Sequence, residues 1–128
     1  MRIYSLAEAR AALPSIVPVL ERIRLASHGL RQLQGVVARA STKTAGNGHL
    51  PHDQISDDDH HEALTQELSS AMAELNAFEV ELKDVDRGLI DFYHERDGEI
   101  VYLCYMLGEV DITAWHTLDS GFAGRQPL

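Results

Sequence analysis

Residues 13–37 read LPSIVPVLERIRLASHGLRQLQGVV, and within them Leu13, Ile16, Leu20, Ile23, Ala26, Leu30, Leu33 and Val37 recur at steps of three or four. That spacing lines one face of an α-helix with apolar side chains. Upstream, Ser5-Leu6-Ala7-Glu8 has the form of a capping box, so a short helix is expected to start at Leu6. Pro14 is best tolerated in a first turn, which predicts a second helical segment beginning there and bent or delayed by Pro18. Gly29 and Gly35 each lower helix propensity by roughly 1 kcal/mol relative to Ala. Packing against another element must hold the helix there.

A second stripe, Leu64, Leu68, Ala71, Leu75, Phe78 and Leu82, has the same steps and a similar length. Ser56 before Asp57, Asp58 and Asp59 reads as its N-cap, with carboxylates placed where the helix dipole favours them. The intervening residues 41–55 collect Gly46, Asn47, Gly48 and Pro51 and are expected to form a loop. Two matched stripes joined by a loop predict a long antiparallel helical hairpin.

Beyond Lys83 the pattern changes. Residues 88–95 and 99–106 are rich in Ile, Val, Leu, Phe and Tyr, and Asp97-Gly98 lies between them as a favoured hairpin turn. Both faces of residues 99–106 are apolar, which predicts a covered, central strand. Residues 2–4 or 80–83 are candidates for a third strand. The expected fold is α+β, mainly α: one domain over residues 1–128, with a helical part over 5–80 and a small antiparallel C-terminal β-sheet and tail over 81–128.

The formal net charge is -9, which disfavours attachment to nucleic acid, where Lys and Arg release counterions. Charge is also segregated: residues 1–45 carry +5 and residues 46–128 carry -14. Opposite charge on two helices supports their pairing with each other or with a second copy. A lone hairpin leaves much of each stripe uncovered, so a homodimer with a four-helix core is expected. The single cysteine, Cys104, has no partner for an internal disulfide, and no stretch is long and apolar enough for a membrane span. Together with the absence of a signal-type N-terminus this predicts a cytoplasmic protein.

Residues 83–92 (KDVDRGLIDF), 101–109 (VYLCYMLGE), Trp115-His116 and 121–125 (GFAGR), with the opening Glu8-Ala9-Arg10 and Leu13-Pro14, resemble an uncharacterised bacterial family. It is catalogued as domain of unknown function 2203. The resemblance implies long helices with a small sheet, and it implies no particular reaction. Tyr105 and Met106 stand where that family usually has a Trp-like residue followed by a basic one.

The chemistry-bearing residues concentrate in the same C-terminal third. Asp91, Glu109 and His116 form a candidate ligand set for zinc or iron, with His94 and Cys104 as possible additions. They lack the short spacings of established metal motifs, so the set depends on tertiary convergence. The competing reading is a structural polar network. In it Arg125 bonds Glu109 or Asp91, Glu109 caps a segment over residues 112–117, His116 bonds a backbone carbonyl, and Cys104 is a small buried apolar residue. Lys83 with Asp84 and Asp86 with Arg87 are expected as surface ion pairs. His49, His52, His60 and His61 with Asp53, Asp57, Asp58 and Asp59 are the other conceivable chelating group, although a solvated acidic helix start accounts for them. The expected function is a noncatalytic interaction or scaffold protein, with a metal-binding protein or small metal-dependent enzyme as the alternative.

Overall fold

The structure, a computed structural model, describes the backbone of residues 1–43 and 51–128 and the side chains of residues 1–33 and 59–128. It contains two long helices, α1 (Leu6–Lys43) and α2 (Pro51–Asn76), followed by a five-stranded sheet. The strands are β1 (Glu81–Asp84), β2 (Leu89–Arg96), β3 (Glu99–Met106), β4 (Ala114–Thr117) and β5 (Gln126–Pro127). They lie in chain order with every neighbour antiparallel. The fold is therefore α+β.

Helix α1 starts as the capping box requires. Glu8 N–H donates to Ser5 Oγ at 3.0 Å, and Ser5 N–H donates back to Glu8 Oε1 at 2.9 Å. It then runs unbroken through Pro14 and Pro18, where two separate segments were expected. Both prolines sit on the exposed face, so the carbonyls that lose their helical donors do so away from the core.

The stripe itself faces inward: Leu13, Ile16, Leu20, Ile23 and Ala26 are buried, while Leu30 and Leu33 are half-buried. Contacts with α2 run in opposite order along the two helices. Arg22 bonds Glu67 and Glu74, each at 2.5 Å, and Gly29 lies against Leu64. A Cβ at Gly29 would stand 2.9 Å from Leu64 Cδ1, so the glycine is what permits this close approach.

Helix α2 departs from expectation at both ends. It begins at Pro51, a residue favoured in a first turn, and not at Ser56; of the expected loop, residues 41–43 and 51–55 are helical and 44–50 lie outside the described residues. It stops at Asn76, so Phe78 falls in a turn and Leu82 in β1. The stop is tertiary in origin: Glu79 turns left-handed (φ 57°), and the Phe78 carbonyl accepts from the hydroxyl of wholly buried Tyr4 at 2.6 Å. Tyr4 also meets Phe92 edge-on at 5.0 Å, which joins the N-terminus, the α2 exit and the sheet.

The β2–β3 hairpin matches its prediction. Asp97 and Gly98 form a two-residue turn with φ of 53° and 83°, the left-handed pair that such hairpins need. Both candidates for a third strand lie beside β2. Residues 81–84 form β1, and at the far end Tyr4 N–H donates to the Tyr93 carbonyl at 2.7 Å. Residues 112–117 do not form the capped segment expected of them; they lead into β4, which pairs with β3 and makes it the central strand. The tail, without periodicity of its own, supplies the two-residue edge strand β5.

Side chains on one face of the sheet join the helices in a single apolar cluster that includes Ile16, Leu20, Leu75, Ile90, Phe92, Leu103 and Tyr105. Burial of each large side chain contributes about 1.5–3 kcal/mol, whereas an exposed ion pair such as Arg22–Glu67 is screened by solvent and contributes little. The apolar cluster, and not the charges between the helices, seats α1 and α2 on the sheet.

Gly88 is buried at φ 60°, and a Cβ there would lie 2.4 Å from Leu107 Cδ1. Gly88→Ala is expected to cost about 2 kcal/mol or more in urea denaturation, from backbone strain plus overpacking. Gly98→Ala, at φ 83° but in open space, is expected to cost about 1 kcal/mol. Equal losses from the two would contradict the packing described around Gly88.

Candidate functional site

Alternation along the strands sends a second set of residues to the sheet face opposite the helices: Glu81, Asp91, Tyr93, Tyr102, Cys104, Ala114 and His116. Asp91 lies directly across from Cys104, and His116 stands one strand further on, across from Tyr102. The carboxylate, thiol and imidazole converge. An Asp91 oxygen, Cys104 Sγ and a His116 ring nitrogen lie within 4.8 Å of one another, and all three residues are at most 3% exposed.

The two ring nitrogens of His116 have different partners. Nδ1 lies 2.9 Å from the Thr117 carbonyl, which can only accept, so Nδ1 carries a proton. Nε2 lies 3.0 Å from Asp91 Oδ1. One proton therefore sits between Nε2 and Oδ1, either on the ring beside a carboxylate or on the carboxyl beside a neutral ring. Burial pushes the Asp91 carboxyl up, and the neighbouring His116 and Lys83 oppose that shift. Burial, reinforced by Asp91, pushes the Cys104 thiol up to about 12. In this state the group offers neither a free imidazole lone pair to act as a base nor a thiolate to act as a nucleophile.

A pocket of about 220 Å³ opens beside Asp91 and His116, bounded by Lys83, Tyr102, Phe122 and the turn at Ser120-Gly121. At its edge Glu81 binds three donors: the hydroxyls of Tyr93 and Tyr102 (the latter at 3.1 Å) and Lys83 Nζ at 2.8 Å. These donors, Lys83 first, hold the Glu81 carboxyl below its ordinary range. The Tyr93 hydroxyl is pushed up because it donates to that carboxylate. The Tyr102 ring packs 5.3 Å from His116 and beneath the Lys83 ammonium at 4.7 Å, linking the two polar groups across the sheet.

Of the residues singled out from sequence, Asp91, His116 and Cys104 come together, whereas Glu109 and His94 stand apart. Glu109 accepts from Arg125 at 3.0 and 2.8 Å and from Met106 N–H at 2.7 Å, so its oxygens are engaged and it is no member of the converging trio. Arg125 also stacks on Phe122 at 4.8 Å, which fixes the tail. His94 lies on the helix side of the sheet, its Nδ1 bonded to the Tyr4 carbonyl at 2.7 Å. Lys83 pairs with Glu81 and not Asp84, and Asp86 pairs with Arg31 of α1 at 2.5 Å and not Arg87. His60, His61 and Asp59 are exposed on α2; His49 and the side chains of His52, Asp53, Asp57 and Asp58 lie outside the described residues. The Glu81–Tyr93–Tyr102–Lys83 group went unrecognised in the sequence, although alternation within 89–96 and 99–106 already puts Tyr93 and Tyr102 on the Asp91 side.

The order of these parts along the chain, from the opening helix to the Phe122–Arg125 tail, can be matched against known families. The chain belongs to the family described as uncharacterized conserved protein, DUF2203. The match covers residues 2–128 and so includes both helices, the sheet and the pocket. Comparison with curated proteins and with solved structures gives no match.

Cys104 is expected to resist Ellman's reagent in the folded protein at pH 8 and to react stoichiometrically in urea. Because folding raises this thiol's pKa, its contribution to stability is complete below the ordinary range near 9 and is lost as pH rises toward about 12. Rapid stoichiometric labelling of the native protein would contradict the burial described.

Proposed function

We propose that this chain is a noncatalytic interaction protein whose working form is a homodimer, built on α1 and α2 as a long antiparallel helical hairpin. The observation that carries the reading is a mismatch of lengths. Helix α1 has 38 residues and α2 has 26, about 57 and 39 Å, whereas the eight-residue strands β2 and β3 extend only about 27 Å. The helices overrun the sheet that covers them.

Burial follows that geometry. Among the described residues of α1 beyond Ala26 none is fully buried: Leu30 and Leu33 are half-covered, as is Leu64 opposite them, and Leu25 is 68% exposed. A second copy laid antiparallel would cover these positions and complete a four-helix core. It would also set Arg24 and His28 of one α1 near Asp59 and Glu62 of the other α2, in keeping with the charge segregation along the chain. A reducing cytoplasm suits the lone buried Cys104, and among the described residues no helix is long and apolar enough to cross a membrane. Further protein partners would meet the acidic α2 or the sheet.

Sedimentation velocity at micromolar concentration is expected to show a dimer. Leu25→Glu, at a position that contributes little to the monomer core, is expected to shift it to a folded monomer with unchanged helical circular dichroism. A wild-type protein that stays a well-folded monomer under these conditions would remove the proposal's main support.

A further inference from the structure

We propose that Asp91, Cys104 and His116 form a three-ligand site for zinc, with the fourth coordination position facing the pocket bounded by Lys83, Tyr102 and Phe122. The inference is independent of dimer formation and rests on donor type, spacing and tautomer. A carboxylate, an imidazole and a thiolate together are the mixed donor set that zinc takes. Their convergence is fixed by backbone register: Asp91 faces Cys104 across β2 and β3, and β4 brings His116 in from the other side. All three come from strands of one rigid sheet, as a preorganised site requires.

The spacing is close to what coordination demands. Metal bonds of about 2.0–2.1 Å at tetrahedral angles put a nitrogen and an oxygen ligand about 3.3 Å apart. His116 Nε2 and Asp91 Oδ1 are 3.0 Å apart, and the whole group spans no more than 4.8 Å, so small side-chain adjustments would admit the ion.

The second observation is the orientation of the ring. Metal-bound histidines characteristically donate their other N–H to a backbone carbonyl or carboxylate, which fixes the tautomer and aims the free lone pair at the ion. His116 already does this: Nδ1–H bonds the Thr117 carbonyl, so Nε2 is the nitrogen turned toward Asp91 and the Cys104 thiol. Zinc would replace the single proton now held between Nε2 and Oδ1 and would displace the thiol proton. Both protons pass to solvent. A dication bound by one carboxylate and one thiolate leaves the buried centre neutral, which is the condition for keeping charge in so enclosed a place. Three protein ligands with an open side toward a pocket leave room for water or a donor atom of a small ligand. Glu109 lies outside the set because Arg125 and Met106 N–H occupy its oxygens.

Cobalt(II) is the probe, since a thiolate bound to it gives a near-ultraviolet charge-transfer band, and Cys104 is the sole cysteine in the chain. Untagged, chelator-treated full-length protein titrated with cobalt is expected to develop that band to saturation at one equivalent per chain and to lose it when zinc is added. Cys104→Ser is expected to abolish the band, and His116→Ala to weaken cobalt binding by at least about tenfold. Binding without the band would assign the metal to other residues, such as the exposed His60 and His61, and would overturn the proposal. Failure to bind one equivalent would overturn it equally. Because there is one cysteine, the wild-type titration decides the matter even if a variant fails to fold.

Discussion

Alternation of side chains along β3 decides which residues enter the core and which gather on the polar face. In the middle of the sheet, Leu103 and Tyr105 point into the apolar cluster beneath α1, while Tyr102 and Cys104 point the opposite way. A slip of one residue in its pairing would exchange the two sets, putting a thiol and a phenol under the helices and greasy side chains among Asp91 and His116. The two-residue turn at Asp97-Gly98 removes that freedom. The same turn that joins the strands therefore decides which face is hydrophobic and which collects polar groups.

From that division the remaining features follow in order of strength. Burial of Ile16, Leu20, Phe92 and Leu103 holds the helices to one face, and each of these side chains outweighs any exposed ion pair between the helices. On the other face, the buried Asp91 and His116 must satisfy one another, while Glu81 and Lys83 pair at its more exposed margin. Glu81 gathers two tyrosines and Lys83, and Asp91 shares a proton with His116. The tail completes the cover through Phe122 and the Arg125–Glu109 pair, whose two side chains are about four-fifths buried. The polar face and the helix pair thus have different roles, one enclosing a small pocket and the other extending past the sheet.

Much of this was legible because it is local. The capping box at Ser5 and Glu8, the stripe from Leu13 to Ala26 and the hairpin at Asp97-Gly98 each depend on residues a few positions apart. The pairing of Asp91 with Cys104 was implicit too, since the two lie equidistant from that turn. What escaped the sequence is set by distant contacts. The periodicity of α2 continues through Phe78, and only the hydroxyl of Tyr4, 74 residues away, shows why the helix has already ended. Strands β4 and β5 are four and two residues long, too short to carry a period, and exist because β3 offers an edge to β4 and β4 in turn offers one to β5. In the sequence, only chemical type associates Glu109 with Asp91 and His116. Its commitment to Arg125 depends on how the tail folds back.

The most direct test of the two-faced sheet is isotope-filtered nuclear Overhauser spectroscopy on the folded protein. The structure requires cross-peaks from Leu103 and Tyr105 to apolar side chains of α1, and from the Cys104 β-protons to the His116 ring, with none from Cys104 to α1. Cross-peaks from Cys104 to α1, together with a solvent-facing Leu103, would mean that β3 pairs in the other register and would contradict both the core and the polar face.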